Sequence, residues 1–227
     1  MNFTDIAPFL AFVNKNDEYN DVVYHEGLNE SKDGEELYFA SPDNILKWIG
    51  RYEVYYVYNV TYDHAEANVT KINKHQFTAS KLFLSNKRRI EDMPCWAEAG
   101  YCTNAVMNYG HCLRFIRDQT DELCHLAILQ NANAIKHVKN QTEELCSHAL
   151  HQNANSIEFI GDPTTEMWKL AVHLNPYTLR LLHNQTPELC CIGVMQHKDA
   201  LALVKDKTPK LIELHETLWG PITTQLS

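Results

Sequence analysis

Glycine is scarce in this 227-residue chain: eight in all, at positions 27, 34, 50, 100, 110, 161, 193 and 220, no two closer than seven residues. The phosphate loop, the dinucleotide fingerprint and the serine nucleophile elbow all need glycines closer together, so none of them is present. There is no His-Glu-x-x-His and no Cys-x-x-Cys. No uncharged apolar run approaches the roughly 18 residues of a membrane span. Charge forms no terminal block, and a net charge of −9 gives no footprint for duplex nucleic acid. What is there is ordinary for a folded chain, with 44% hydrophobic and 22% charged residues.

The seven cysteines are Cys95, Cys102, Cys112, Cys124, Cys146, Cys190 and Cys191. Their odd number, at the end of no signal-peptide pattern, predicts a reducing compartment. Twelve histidines raise the question of a metal, with His148, His151 and His173 the closest set. No Cys/His spacing matches a ligand pattern, and neighbours such as Cys190 and Cys191 point apart on a helix, so no metal is expected.

A 22-residue step runs through the second half. Cys102, Cys124, Cys146, Trp168 and Cys190 keep it, as do Ala105, Ala127, Ala149, Ala171 and Gly193. Thr120, Thr142, Thr164, Thr186 and Thr208 form a third column, and Asp118, Asn140, Asp162, Asn184 and Asp206 a fourth. Each Thr suits an N-cap, followed by first-turn acids such as Glu143 and Glu144 that favour the positive end of the helix dipole. A second helix is expected from Asn131, Asn153 and Asn175, where Asn175-Pro176 is a helix-start signal. Its apolar face is Ile135/Val138, Ile157/Ile160, Leu179/Leu182 and Leu201/Val204. It should end at the Asp/Asn column, a residue type that tolerates left-handed backbone. The sequons at Asn140 and Asn184 then exist for capping. Helices this short need neighbours to stack on, which predicts a solenoid.

The string from Val138 to Cys146, followed by Ala149, resembles a helical repeat found in proteins of giant DNA viruses, large phages and some intracellular bacteria, of the type Lys-Asn-Gln-Thr-x-Glu-Leu-Cys-x-x-Ala. The resemblance covers about 97–217, implies architecture and carries no catalytic residues.

The first 95 residues differ. Strands are expected at 22–25, 36–40, 53–62 and 81–85, with a helix at 42–49 opened by Ser41-Pro42 and closed by Gly50. The pattern Leu37-Tyr38-Phe39-Ala40-Ser41, with Trp48 and Tyr52-Glu53-Val54, looks like an N-terminal domain of giant-virus repeat proteins. A second similarity, to compact ADP-ribosyltransferases, would place His25 and Tyr38 around NAD, with Glu53 or Glu91 as the acidic partner.

The expected fold is therefore an α+β N-terminal domain, 1–95, followed by an all-α helical-repeat solenoid of short antiparallel helix pairs, 96–227, with about five repeats and a C-terminal capping helix. The expected function is a viral or phage protein-binding module in the host cytoplasm, without cofactor. Its candidate binding residues are the basic stripe Arg114, Arg117, Lys136, Lys139, Arg180, His183 and Lys205, which would face an acidic protein surface or RNA phosphate; cations at helix C-termini also arise simply to complement the dipole. The clustered tyrosines 52, 55, 56, 58 and 62 are a second candidate surface. The alternatives are an NAD-dependent transferase built on His25 and Tyr38, and a nucleophile at Cys95 or Cys112.

Overall fold

The computed structural model describes residues 9–32, 35–41, 46 and 54–222. An antiparallel sheet is followed by a helical C-terminal part, and the chain divides into two units, Met1–Asp118 and Gln119–Ser227. The helix expected at 42–49 lies outside the described residues, Leu46 apart, as do Tyr52 and Glu53.

In the first unit the strands are β1 Leu10–Val13, β2 Glu18–Tyr19, β3 Val22–Val23, β4 Gly27–Glu30, β5 Leu37–Ala40, β6 Tyr56–Thr61, β7 Thr70–Lys71, β8 Gln76–Ala79 and β9 Lys81–Arg89. Seven form one sheet in the order β4-β9-β6-β1-β5-β8-β7, and β2 with β3 makes a separate hairpin. That hairpin turns on Asn20 and Asp21, both at positive φ (50° and 63°), the backbone a two-residue turn demands of its central pair. Tyr58 lies where the register of β6 against β9 shifts; its hydroxyl donates to Asp17 Oδ1 at 2.9 Å, and Lys87 Nζ meets the same carboxylate at 2.7 Å. The β1 strand escapes a search for alternation because all four of its side chains are buried.

The first repeat packs with the sheet through Trp96. Its indole N–H donates to Ile90 O at 2.8 Å, and its ring stacks on Phe115 at 5.1 Å. Helix α1, Ala99–Asn108, follows, and Arg117 closes the unit with an ion pair to Asp92 at 2.6 Å.

The second unit begins with α2 Asp121–Gln130, α3 Glu143–Gln152, α4 Thr165–Leu174 and α5 Pro187–Gln196, each of ten residues, and ends with α6 Ala200–Leu203 and α7 Pro209–Trp219. Successive ten-residue helices pack on one another. Thr120, Thr142, Thr164 and Thr186 cap them, each accepting from the amide three residues on; Thr208 makes no such side-chain bond. The small column sits at the packing contact: Ala127, Ala149 and Ala171 are fully buried, and a Cβ on Gly193 would stand 2.5 Å from Leu179 Cδ1.

In the fifth repeat the second element is the short helix α6, while in the first four it differs from expectation. It is a six-residue 3-10 helix, at Ala132–His137, Ala154–Phe159 and Pro176–Leu181, and likewise at Gly110–Phe115 in the first repeat. The reason is periodicity. Ala132, Ile135 and Val138 are all buried, as are Ala154, Ile157 and Ile160. Three consecutive members three apart share a side only when a turn holds three residues. The Asn caps are as expected, with Asn131, Asn153 and Asn175 Oδ1 accepting from the amide two residues on. The Asp/Asn column is not left-handed: among the described residues, positive φ outside glycine occurs at Asp17, Asn20, Asp21, Asn68 and Asn86 alone. Asn140 instead turns the chain by accepting from Thr142 N through its carbonyl at 3.0 Å.

A segment this short leaves its last carbonyl without a donor of its own. A glutamine satisfies it at three repeat junctions, through His137 O, Phe159 O and Leu203 O. Gln141 donates through Nε2 to Ile135 O (2.9 Å) and Phe159 O (3.1 Å), while its Oε1 accepts from Gly161 N (2.8 Å). Gln185 does the same with Leu179 O, Leu203 O and Lys205 N. Gln119 bonds His137 O and Lys139 N. At Gln141 and Gln185 one side chain thus ties a repeat to the one before it. The third position of that column is Pro163, which has no side-chain donor.

Two outcomes follow for stability. Gln141→Ala strands two backbone groups, Phe159 O and Gly161 N, while Ile135 O keeps Val138 N. It is expected to cost about 1–3 kcal/mol, against about 1 for Thr142→Ala, while Ala149→Leu should cost about 1–3 by overpacking; urea denaturation ranks them, and a neutral Gln141→Ala would remove the glutamine from its bridging role. The thiols give the second outcome. Burial pushes Cys95 up to about 11 and Cys112 up to about 12, and raises Cys102, Cys124, Cys146 and Cys190; only Cys191 is partly exposed. The native protein should therefore take one iodoacetamide at neutral pH and seven when unfolded, read by intact mass. Because these thiols hold their protons longer in the fold than in the open chain, that contribution to stability is intact below the ordinary thiol value of 9.0 and is lost as pH rises through about 11 to about 12.

Candidate functional site

The outward side of the ten-residue helices carries a concave surface in the second unit. Thr caps fix where each helix begins, so the first-turn acids fall in register from one repeat to the next. Between α2, α3 and α4 they rim a cleft of about 600 Å³ lined by Asp121, His125, Thr142, Glu143, Glu144, Leu145, Ser147, Glu166, Met167 and Leu170. Its floor is apolar and its rim carboxylate. Lys169 ends the rim, bridging Glu166 and Glu188 at 2.9 Å each; those two carboxylates, Glu188 first, raise the ammonium's pKa.

His125 joins this cleft to a second, of about 250 Å³, lined by His125, Leu126, Ile128, Leu129, His148 and Gln152. The His125 and His148 rings meet edge to face at 4.7 Å, and His125 Nε2 lies 3.8 Å from Glu144 Oε1. Gln152 Nε2 donates to Leu129 O at 2.9 Å and fixes the far wall. Leu129 itself is 74% exposed, and Met195, three repeats on in the same column, is 56% exposed. The surface therefore changes from acidic at the helix N-termini to apolar and imidazole-bearing at their C-terminal halves. The acids suit the dipole, yet a helix end carries only about half a positive charge. Three such ends cancel less than half of the charge on Asp121, Glu143, Glu144 and Glu166, so the cleft stays anionic.

The basic stripe is placed elsewhere and is partly engaged. Arg114 and Arg117 belong to the first unit; Arg114 stacks over the Phe115 ring at 4.5 Å and Arg117 pairs with Asp92. Lys136 Nζ lies 5.6 Å from the Phe159 ring. Lys205 Nζ donates to Leu182 O and His183 O, both at 2.9 Å, at the end of a 3-10 helix. Lys139, Arg180 and His183 are exposed. The structure thus brings Lys205 to the backbone of His183, while the other members have separate surroundings.

His25 and Tyr38 do not touch. His25 is exposed, with its amide bonded to Asn29 Oδ1; the Tyr38 ring meets Tyr19 edge to face at 5.5 Å, and its amide donates to the buried Tyr24 hydroxyl at 2.7 Å. Glu91 pairs with Arg89 at 2.6 Å. Of the tyrosines, Tyr58 is buried, Tyr62 packs on Phe39 at 5.4 Å, Tyr56 lies under Lys87 at 4.2 Å and Tyr55 is exposed under Lys15 at 4.6 Å. Among the described residues no group of three His, Cys, Asp or Glu is placed to hold a metal ion. The cleft residues are visible in the sequence only as outward columns: Glu122/Glu144/Glu166/Glu188 beside Leu126/His148/Leu170/Ile192.

Leu129 is apolar without contributing to the core, so Leu129→Ser should shift stability by no more than about 0.5 kcal/mol. Leu150→Ala, at a fully buried position of α3, should cost about 2–5 kcal/mol. Chemical denaturation of both variants checks this; a large loss at Leu129 would make it a structural residue. No protein-family model, no curated protein and no solved structure matches the chain.

Proposed function

We propose that the protein is a binding module of a virus or phage, acting in the host cytoplasm, whose repeats form a solenoid that grips a segment of a partner protein along the row α2–α5. The observation that carries this is the continuity, through His125, of an acid-rimmed cleft with an apolar one. A segment presenting lysine or arginine to Asp121, Glu143 and Glu144 and an apolar side chain beside Leu126 and Leu129 complements both halves. RNA phosphate is repelled by the same rim, and the cations that would attract it at Arg117, Lys136 and Lys205 already have partners. Repeats that bond only to their neighbours supply the extended surface such binding uses. Seven thiols without a disulfide support a reducing compartment.

The test is a fluorescein-labelled peptide of alternating lysine and leucine, read by anisotropy. Glu143→Lys with Glu144→Lys should weaken binding by at least about tenfold, and binding should weaken with salt, because exposed charges are screened beyond about 10 Å at 0.1 M ionic strength. Leu129→Ser should weaken it without changing the salt slope. Arg180→Glu should leave it unchanged. Binding that survives the charge reversal, or that is lost on Arg180→Glu, overturns the proposal.

A further inference from the structure

A second concavity lies wholly within the first unit and is independent of the helical row. It measures about 220 Å³ and is walled by Val54, Tyr55, Arg89, Ile90, Glu91, Arg114 and Phe115. Its walls are held from several sides. Ile90 N donates to Tyr55 O at 3.0 Å, Trp96 holds Ile90 O, and the Phe115 ring meets the Trp96 ring at 5.1 Å and the Arg114 guanidinium at 4.5 Å.

Arg114 is the informative residue. Its guanidinium lies 4.5 Å from the Phe115 centroid, and among the described residues no carboxylate pairs with it. Stacking fixes the plane of the group and leaves its edge, with its fork of N–H donors, free to meet a planar or tetrahedral oxyanion. Across the cleft Arg89 is held only by Glu91, in a pair with side chains 63% and 41% exposed. Exposed pairs contribute little, so a stronger anion can recruit Arg89. Lys15 Nζ lies 4.6 Å from the Tyr55 ring centroid. Arg114 and Arg89 put two guanidinium forks on one cleft of a chain whose net charge is −9, and two forks can meet the oxygens of one dianion. The volume is below the about 300–1,000 Å³ of a drug-sized site. It suits one flat ring with a charged end. The exposed Tyr55 ring is the available apolar wall.

We propose that this cleft binds a phosphate monoester carried on a flat ring, with Arg114 as the preset fork, Arg89 recruited from Glu91, and the ring seated against Tyr55. The chemistry has two sources, a phosphotyrosine side chain of a partner and a free mononucleotide, and the experiment separates them.

Phenyl phosphate is titrated into the full chain by calorimetry, with inorganic phosphate in parallel. Phenyl phosphate should bind, and more tightly than phosphate alone. Arg114→Ala should weaken it by about tenfold or more, since a bidentate charged contact is lost, and Arg114→Lys should restore little of it. Arg180→Ala, in the second unit, should have no effect, and unchanged melting temperatures show that the variants fold. A phosphotyrosine peptide and AMP then compete for the site, and the stronger competitor identifies the source. Phenyl phosphate binding unaltered by Arg114→Ala, equal binding of phosphate alone, or competition by neither ligand would overturn the proposal.

Discussion

The helical part depends on how a six-residue 3-10 helix disposes of its last carbonyls. Every helix leaves its last carbonyls without an intrahelical donor, and in a segment of six they are a large share of the total. A glutamine amide supplies what is missing, because it alone among the neutral side chains, with asparagine, offers two donors and an acceptor from one planar group. At Gln141 and Gln185 the reach is long enough to take one carbonyl from the preceding repeat and one carbonyl and one amide from its own. The ten-residue helices meet at the small column, where Ala127, Ala149 and Ala171 are fully buried.

The same register decides where charge and apolar surface fall. A threonine cap sets the first turn, the first turn takes the acids, and the step of the repeat lines those acids up along one rim. Cations gather at the other ends, where Lys205 satisfies carbonyls directly and Lys136 lies by an aromatic ring. The two ends of each repeat are thus opposite in sign for reasons of local stability. A binding surface can be assembled from them without further design, since solvent-facing positions between the ends, such as 126, 129, 148 and 195, are free to vary.

Much of this was open to inspection in the residues. The Thr, Asn and Ala columns are properties of single side chains acting within a few residues, and each has the role its chemistry suggests. The 3-10 geometry was also written there, in the third member of each apolar triplet, but two members three apart fit an α-helix equally well. The glutamine bridge was not legible, because its partners are eighteen and twenty residues away and are backbone atoms. Strand β1 left no alternating pattern, since both its faces are covered. The cleft beside Arg114 joins residues from β9, from the segment before β6 and from the first repeat, brought together by contacts distant in sequence such as Trp96 with Ile90 and Phe115 and Arg117 with Asp92.

Pro163 interrupts the glutamine column between the repeats at 141–162 and 163–184. Elsewhere each junction is sealed by bonds that reach no further than the adjacent unit, so a whole unit of 22 residues can be gained or lost with every surviving bond keeping its partner. At Pro163 even that condition lapses, for there is no glutamine whose partners must be replaced. The proline junction is accordingly where a lineage could lengthen or shorten this array at the least cost, and where two arrays of different ancestry could be spliced.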